Sequence, residues 1–266
     1  MVSCCYLLQR YWSRCLAYSG LPLRNKVRLI HTSDTHLGGD WHPELAETAL
    51  QTVVDGVAGL GGDALLIVGD VFDHARVPDA VVESFLEHVG RLTVPAVVLP
   101  GNHDLYDDNS LYRRELFRHK PPNLHIFTKS EGQLISFPEL ALDLWGRAMP
   151  MHTPQFRPLQ GIRSRSNGRW LVALAHGHFH FDDDTEQRSS PIYPYEVAEA
   201  GCDYLALGHW ERHVDVSQGR IKAVYSGSPL GAFQSNENVS VTVVDLDLDQ
   251  GVQTRQAFLN MNTQRE

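Results

Sequence analysis

The sequence predicts an α/β fold in which two β-sheets pack face to face with helices outside. Three observations predict it. Apolar runs alternate with amphipathic helical stretches from residue 27 to residue 99, the βαβαβ pattern of a parallel sheet. The second half of the chain reads instead as short strands with few helices between them. Finally, polar islands rich in Asp, Asn and His follow five of the apolar runs, where the carboxyl ends of strands gather distant side chains.

Val27–Thr32 shows almost no polar alternation, so it reads as a central strand covered on both faces. Over Pro43–Leu60, Leu45, Ala49, Leu50, Val53, Val54 and Val57 recur at helical spacing, and Gly59, Gly61 and Gly62 end the helix. Ala64–Val68 is the next strand. Asp79 is a candidate cap for a helix over Ala80–Leu92, whose apolar face carries Val81, Val82, Phe85, Leu86 and Val89. Ala96–Leu99 is a third buried strand, stopped by Pro100-Gly101. Further strands are expected at Gln133–Phe137, Leu140–Trp145, Leu171–Ala175, Tyr204–Leu207, Ile221–Tyr225, Val239–Leu248 and Val252–Phe258. The alternation through Val239–Val243 suits a half-buried antiparallel strand. Met151–Arg169 and Asp182–Pro191 read as loops.

The five islands are Asp34-Thr35-His36, Gly69-Asp70 with Asp73 behind it, Gly101-Asn102-His103-Asp104, His176-Gly177-His178 and Gly208-His209. Carboxylate, amide and imidazole side chains are the ligands of hard and borderline cations. Two divalent ions roughly 3.5–4 Å apart clamp a phosphate and generate a nucleophile from water near neutral pH. Such a pair needs a shared anionic ligand, and Asp70 suits that role. Asp34 and His36 can reach one ion, and Asn102, His176 and His209 can supply the other. His103 lies beside a ligand without being needed as one, so it is placed to donate a hydrogen bond to a phosphoryl oxygen or to protonate a leaving alkoxide. Asp104 and Asp73 are expected to orient neighbouring imidazoles. His178 and His180 read as solvated, Phe179, Trp210 and Phe233 as core aromatics, and Arg163, Arg165 and Arg169 as a solvated loop. His152 receives no role.

Composition sets the frame. The 266 residues are 42% hydrophobic and 21% charged, ordinary for a globular chain, with no apolar stretch long enough to span a membrane. Cys4, Cys5, Cys15 and Cys202 form neither a disulfide framework nor a thiolate zinc site, which points to a reducing, cytoplasmic setting. Residues 1–26 read as a weakly ordered N-terminal extension and residues 27–266 as one domain. The first thirty residues hold five basic side chains and no acid. The remainder carries 18 basic against 32 acidic residues, a net charge of −14. An acidic body repels nucleic-acid phosphates on average, so nucleic acid is not the favoured partner.

In that order, Asp-x-His, Gly-Asp, Gly-Asn-His-Asp, His and Gly-His resemble the calcineurin-like metallophosphoesterase superfamily. Ser33–Gly38, Gly69–Asp73 and Tyr225–Leu230 are similar to its Mre11 and SbcD nuclease branch. The resemblance implies a four-layer αββα sandwich of two mixed β-sheets flanked by helices. It also implies phosphoester hydrolysis by a metal-bridging hydroxide. By position it puts Asp34, His36 and Asp70 on one metal and Asp70, Asn102, His176 and His209 on the other, with His103 as the transition-state residue. The family usually closes with Gly-His-x-His, whereas Gly208-His209-Trp210-Glu211 places Glu211 at the last ligand position, with His213 two residues further on. An oxygen ligand there hardens the site and tilts it from zinc toward manganese or iron, with two divalent ions, manganese first, as the expected cofactors. The nuclease branch also carries a capping domain, which is not expected here because the sequence ends at Glu266, shortly after its last expected strand. The expected activity is therefore a metal-dependent phosphodiesterase acting on a phosphoester substrate, with no membrane and no clear protein partner. A nuclease and a non-catalytic scaffold are the alternatives.

Overall fold

The computed structural model describes residues 25–40, 43–162, 164, 168–231 and 238–261. Most of the expected N-terminal extension, together with Arg163, Arg165 and Phe233, therefore lies outside the described residues. In chain order the first elements are β1 (Lys26–Thr32), α1 (Pro43–Gly59), β2 (Ala64–Val68), α2 (Asp79–Gly90), β3 (Ala96–Leu99), α3 (Glu115–Arg118) and β4 (Leu124–Ile126). Next come β5 (Gln133–Phe137), β6 (Leu142–Gly146), β7 (Trp170–His176), β8 (His178–Phe179), β9 (Pro191–Ile192) and α4 (Pro194–Ala198). The last are β10 (Tyr204–Gly208), β11 (Val214–Asp215), β12 (Lys222–Tyr225), β13 (Asn238–Asp247) and β14 (Gly251–Asn260).

Two mixed sheets of six strands each result, with orders β14-β13-β1-β2-β3-β4 and β11-β12-β10-β7-β6-β5. Strands β1 to β4 run parallel, and the β13–β14 hairpin joins β1 antiparallel. In the second sheet β6, β7, β10 and β12 run parallel, with β5 and β11 antiparallel at its edges. The short β8–β9 pair stands apart from both sheets.

Side-chain alternation explains the stacking. In β1, Val27 and Leu29 face the second sheet while Ile30 faces the helices. The space between the sheets is filled by Leu66, Val68, Val97 and Leu99 from one side and Leu144, Val172, Leu174 and Ala206 from the other. Full burial of such a side chain contributes about 1.5–3 kcal/mol. Helices α1 and α2 cover the outer face of the first sheet through Leu50, Val53, Val57, Phe85 and Val89. The outer face of the second sheet is covered by the five-residue α4, by Phe179 and Ile192 of the β8–β9 pair and by loop residue Leu159. The fourth layer is thus one short helix, the β8–β9 pair and ordered loops.

Asp79 is the first residue of α2 and Pro78 is its cap, so the expected Asp79 cap is displaced by one position. A proline there pre-sets the backbone for helix entry without needing a side-chain acceptor. Arg169 is committed to Asp143 through two hydrogen bonds of 2.9 and 2.7 Å, and so anchors the start of β7. Among the described residues no helix is long and apolar enough to cross a membrane.

Candidate metal centre

All five islands sit at one end of the sandwich. Asp34 and His36 follow β1, Asp70 follows β2, and Asn102 and His103 follow β3. His176 ends β7, and His209 follows β10. The centre therefore draws its side chains from both sheets.

Close approach of the strand tips needs unusual backbone. Asp34, His36, Asp70 and His209 have φ of 54°, 47°, 52° and 109°. Non-glycine residues pay about 1–3 kcal/mol for such conformations, which persist only where surrounding contacts enforce them. Two glycines make room. A Cβ at Gly101 would overlap Asp70 Oδ1, and one at Gly208 would overlap Val68 O.

The donor atoms converge as two sets that share a carboxylate, beside a third cluster of His36, Asp73 and His103. Ligand atoms of Asp34, His36 and Asp70 lie within 4.8 Å of one another, and so do those of Asp70, His176 and His209. Asp70 belongs to both. His176 donates Nδ1–H to Val68 O at 2.9 Å. The lone pair of a neutral Nε2 is thereby turned toward Asp70 Oδ2 at 3.2 Å and Asn102 Oδ1 at 3.0 Å. His209 Nδ1 lies 2.9 Å from the same Asn102 oxygen. Lone pairs facing one point need a positive charge between them.

Electrostatics makes the same demand. Asp34, Asp70 and Asp104 are at most 2% exposed, and among the described residues no Lys or Arg pairs with them. Burying anions without cations is costly. Burial pushes Asp34 up to about 6, against the opposing charge of His176. Burial acts to raise Asp70 as well, but the His176 charge and the N–H of His103 hold it below the usual carboxylate range. Burial acts to lower His176, and the Asp70 charge overturns this and lifts it to about 9. Burial and then the His176 charge push His209 down to about 3. Divalent cations at the two donor sets would meet the demand that His176 meets alone, and oxygen and imidazole donors fit such cations.

On the open side lies a cleft of about 700 Å³ lined by Asp34, His36, Asp73, His103, Glu211 and Leu230, among others. Asp73 Oδ1 accepts from His36 Nδ1 at 3.1 Å, which leaves the His36 Nε2 lone pair free to ligate. His103 Nδ1 donates to Asp73 O at 2.7 Å, so its Nε2 is the free nitrogen.

Asp73 thus has the orienting role expected of it, but Asp104 does not. The Asp104 carboxylate accepts the N–H groups of Gly101 at 2.7 Å, Asp70 at 3.2 Å, Val71 at 2.8 Å and Phe72 at 3.3 Å, and the hydroxyl of Tyr112 at 2.6 Å. It shapes the backbone of two islands and orients no imidazole, because its side chain turns inward under the loop. Glu211 is exposed at the cleft wall and joins neither donor set. His213 faces the other way, with Nδ1 3.0 Å from Thr242 Oγ1.

Other residues were not visible as site components. His152 packs on His209 with ring centroids 5.6 Å apart, although it sits in an irregular loop with no pattern to mark it. Tyr112 anchors Asp104 from a one-turn helix. His178 is part-buried, bonded to Asp184 Oδ2 at 3.3 Å, with its ring 6.2 Å from that of His209.

Comparison with known proteins agrees with this geometry. Residues 27–212 match the sequence profile described as calcineurin-like phosphoesterase. The chain is 28% identical over 263 residues to the D subunit of nuclease SbcCD from Bacillus subtilis, a match covering 82% of this chain and 66% of that protein. The D subunit of nuclease SbcCD from Escherichia coli K12 is 32% identical over 85 residues, 29% of this chain and 21% of its own length. The chain thus spans less than two thirds of the length of these curated relatives. Among solved structures, a dimetal phosphatase from Danio rerio aligns with a TM-score of 0.58 at 10% identity, over 89% of this chain and 99% of that one. Protein TT1561 of Thermus thermophilus aligns with a TM-score of 0.54 at 14% identity, over 89% and 99%. These two likenesses concern the fold.

Proposed function

Because this chain belongs to the calcineurin-like phosphoesterase family, we propose that it is a dinuclear metal-dependent phosphodiesterase. The observation that carries the reading is the membership of Asp70 in both donor sets, at the floor of an open cleft. Asp34, His36 and Asp70 would hold one divalent ion, and Asp70, Asn102, His176 and His209 the other. Manganese is the proposed metal. When bound, such a pair polarises a phosphoryl oxygen and lowers the pKa of water into the neutral range.

The chain's own residues do the rest. Asn102 fixes the spacing of the second set, since its Oδ1 touches both His176 and His209. Asp73 sets the tautomers at the cleft mouth, through its carboxylate for His36 and its carbonyl for His103. His103 then offers Nε2 to the phosphoryl group or to the departing alkoxide, where a positioned imidazole contributes about 10²–10⁴-fold. Asp104 holds the loops that carry Asp70 and His103.

A second reading, a DNA exo- or endonuclease cutting single strands or ends, is favoured by the likeness to the Bacillus subtilis nuclease subunit. Hydrolysis of bis-p-nitrophenyl phosphate with added manganese tests the first reading. Turnover that is abolished by chelation and by Asp70→Asn supports it. Equal turnover by Asp70→Asn and the parent overturns it. Linear single-stranded DNA at moderate salt, offered to the same preparation, tests the second.

A further inference from the structure

Beside the second donor set, three aromatic rings form a column that runs from the core to solvent. Its base is Tyr225, fully buried, with its hydroxyl held by Gly177 O at 2.7 Å. Trp210 stacks on it with ring centroids 4.3 Å apart and an interplanar angle of 15°. Phe181 stacks on Trp210 at 5.6 Å and 24°. The column does not close. Phe181 is 44% exposed, and among the described residues no further ring or guanidinium lies against its other face.

The main chain that carries the exposed Phe181 ring is fastened. Its N–H donates to Asp184 Oδ2 at 2.9 Å, while the Asp184 N–H returns to Phe181 O at 3.0 Å. Its edge packs on buried Phe179, with centroids 5.1 Å apart. The same Asp184 oxygen holds His178, whose Nδ1 accepts from Trp210 Nε1 at 3.4 Å. Trp210 is also the residue next to His209. The clamp, the column and the metal donors are therefore one connected piece of structure, in which the outermost ring is held parallel to those beneath it.

A parallel, outward-facing ring, stacked on Trp210, the neighbour of His209, matches a flat heteroaromatic group carried on the phosphate. Base–aromatic stacking of this kind tolerates any base, because every base has a π-face. We propose that Phe181, backed by Trp210 and Tyr225, is a base-stacking subsite that receives a nucleobase adjoining the scissile phosphodiester. This assignment rests on the phosphodiesterase reading and narrows its substrates to nucleotide-bearing diesters. It requires no basic surface, which is consistent with the acidic body of the chain.

The test compares two single-stranded oligodeoxynucleotides of equal length and charge, one with normal bases and one in which all but the labelled end is abasic. Binding is read by fluorescence anisotropy in EDTA, where no cleavage occurs. The full-length parent is expected to prefer the base-bearing strand by between about 5-fold and about 100-fold. Phe181→Ala and Phe181→Leu are both expected to lose that preference, since leucine restores apolar cover without a π-face. Phe181→Trp is expected to keep it. Equal binding of the two strands by the parent overturns the subsite, as does equal weakening of both strands by Phe181→Ala. So does a preference that survives in Phe181→Leu. Loss of preference accompanied by a change of oligomeric state in sedimentation overturns it too, because Phe181 would then be covering a second copy. Failure of the phosphodiesterase reading is seen separately, as absence of metal-dependent turnover on bis-p-nitrophenyl phosphate.

Discussion

Asp104 accepts the main-chain N–H of Val71 at 2.8 Å, and this bond ties the loop after β3 to the loop after β2. With the neighbouring bonds from Gly101, Asp70 and Phe72 it makes one carboxylate the fastening point of two islands. Hydrogen bonds to a charged acceptor are worth about 1.5–3 kcal/mol each, and a buried donor left unpaired costs a comparable amount. Asp104→Ala is therefore expected to lower stability by about 3 kcal/mol or more. Urea denaturation measures it. Tyr112→Phe removes one donor and is expected to cost clearly less. An Asp104→Ala midpoint equal to the parent's would refute the fastening role.

The backbone N–H of His103 donates to Asp70 Oδ1 at 2.8 Å, and its ring packs edge-to-face on that of His36 with centroids 4.7 Å apart. Its imidazole is tethered to Asp73 O. His103→Ala is expected to reduce kcat by about 10²–10⁴-fold while the metal content of the loaded protein stays that of the parent. Turnover and elemental analysis on one preparation decide it. Loss of metal in step with loss of turnover would make His103 a ligand.

At Gly208 a side chain would collide with the backbone of the opposite sheet at Val68. A strand tip buried between two sheets cannot retreat, so Gly208→Ala is expected to cost about 1–3 kcal/mol and to weaken metal binding through His209. Gly59→Ala is the control, since nothing lies within 4 Å of a Cβ there. That change is expected to be neutral or stabilising by up to about 1 kcal/mol. Thermal melts of the two variants provide the comparison.

His31 is fully buried between the sheets, with Nδ1 2.9 Å from the Tyr204 hydroxyl. Burial, with the nearby His213 charge, pushes its pKa down to about 3. An unfolded histidine titrates near 6.5, so between these values the unfolded chain binds a proton that the fold rejects. Stability must fall as pH drops from about 6.5 toward 3, and is unaffected by this group above that window. Relative to His31→Gln, the parent is expected to lose roughly 2 kcal/mol more on going from pH 7 to pH 5. Parallel curves for the two proteins would exclude His31 as the source.

The longer elements were legible because burial writes itself into periodicity. Ala64–Val68, Ala96–Leu99 and Gln133–Phe137 agree with the observed strands residue for residue. Helix α1 ends one residue before its expected limit. The strands that escaped notice are β4, β8, β9 and β11, of two or three residues, too short for any alternation to register. In the site, residue type plus position at a strand tip was enough to single out the convergent donors. It was not enough for Asp104, because an Asp that caps a loop's amides and an Asp that steadies an imidazole look alike in one dimension. His152 and Phe181 depend on loops whose course is set by distant partners, Ser190 and Asp184.

The first donor set hangs entirely from one sheet, whereas the second joins Asp70 and Asn102 of that sheet to His176 and His209 of the other. The filling between the sheets is thus a gauge as well as a source of stability. Leu66, Val172 and Leu174, deep in the interior, set how far apart the two halves of the cation cradle stand. Trimming a methylene there, in side chains that touch no cation themselves, would alter the aperture offered to an ion, and selectivity among metals would become a property of hydrocarbon thickness.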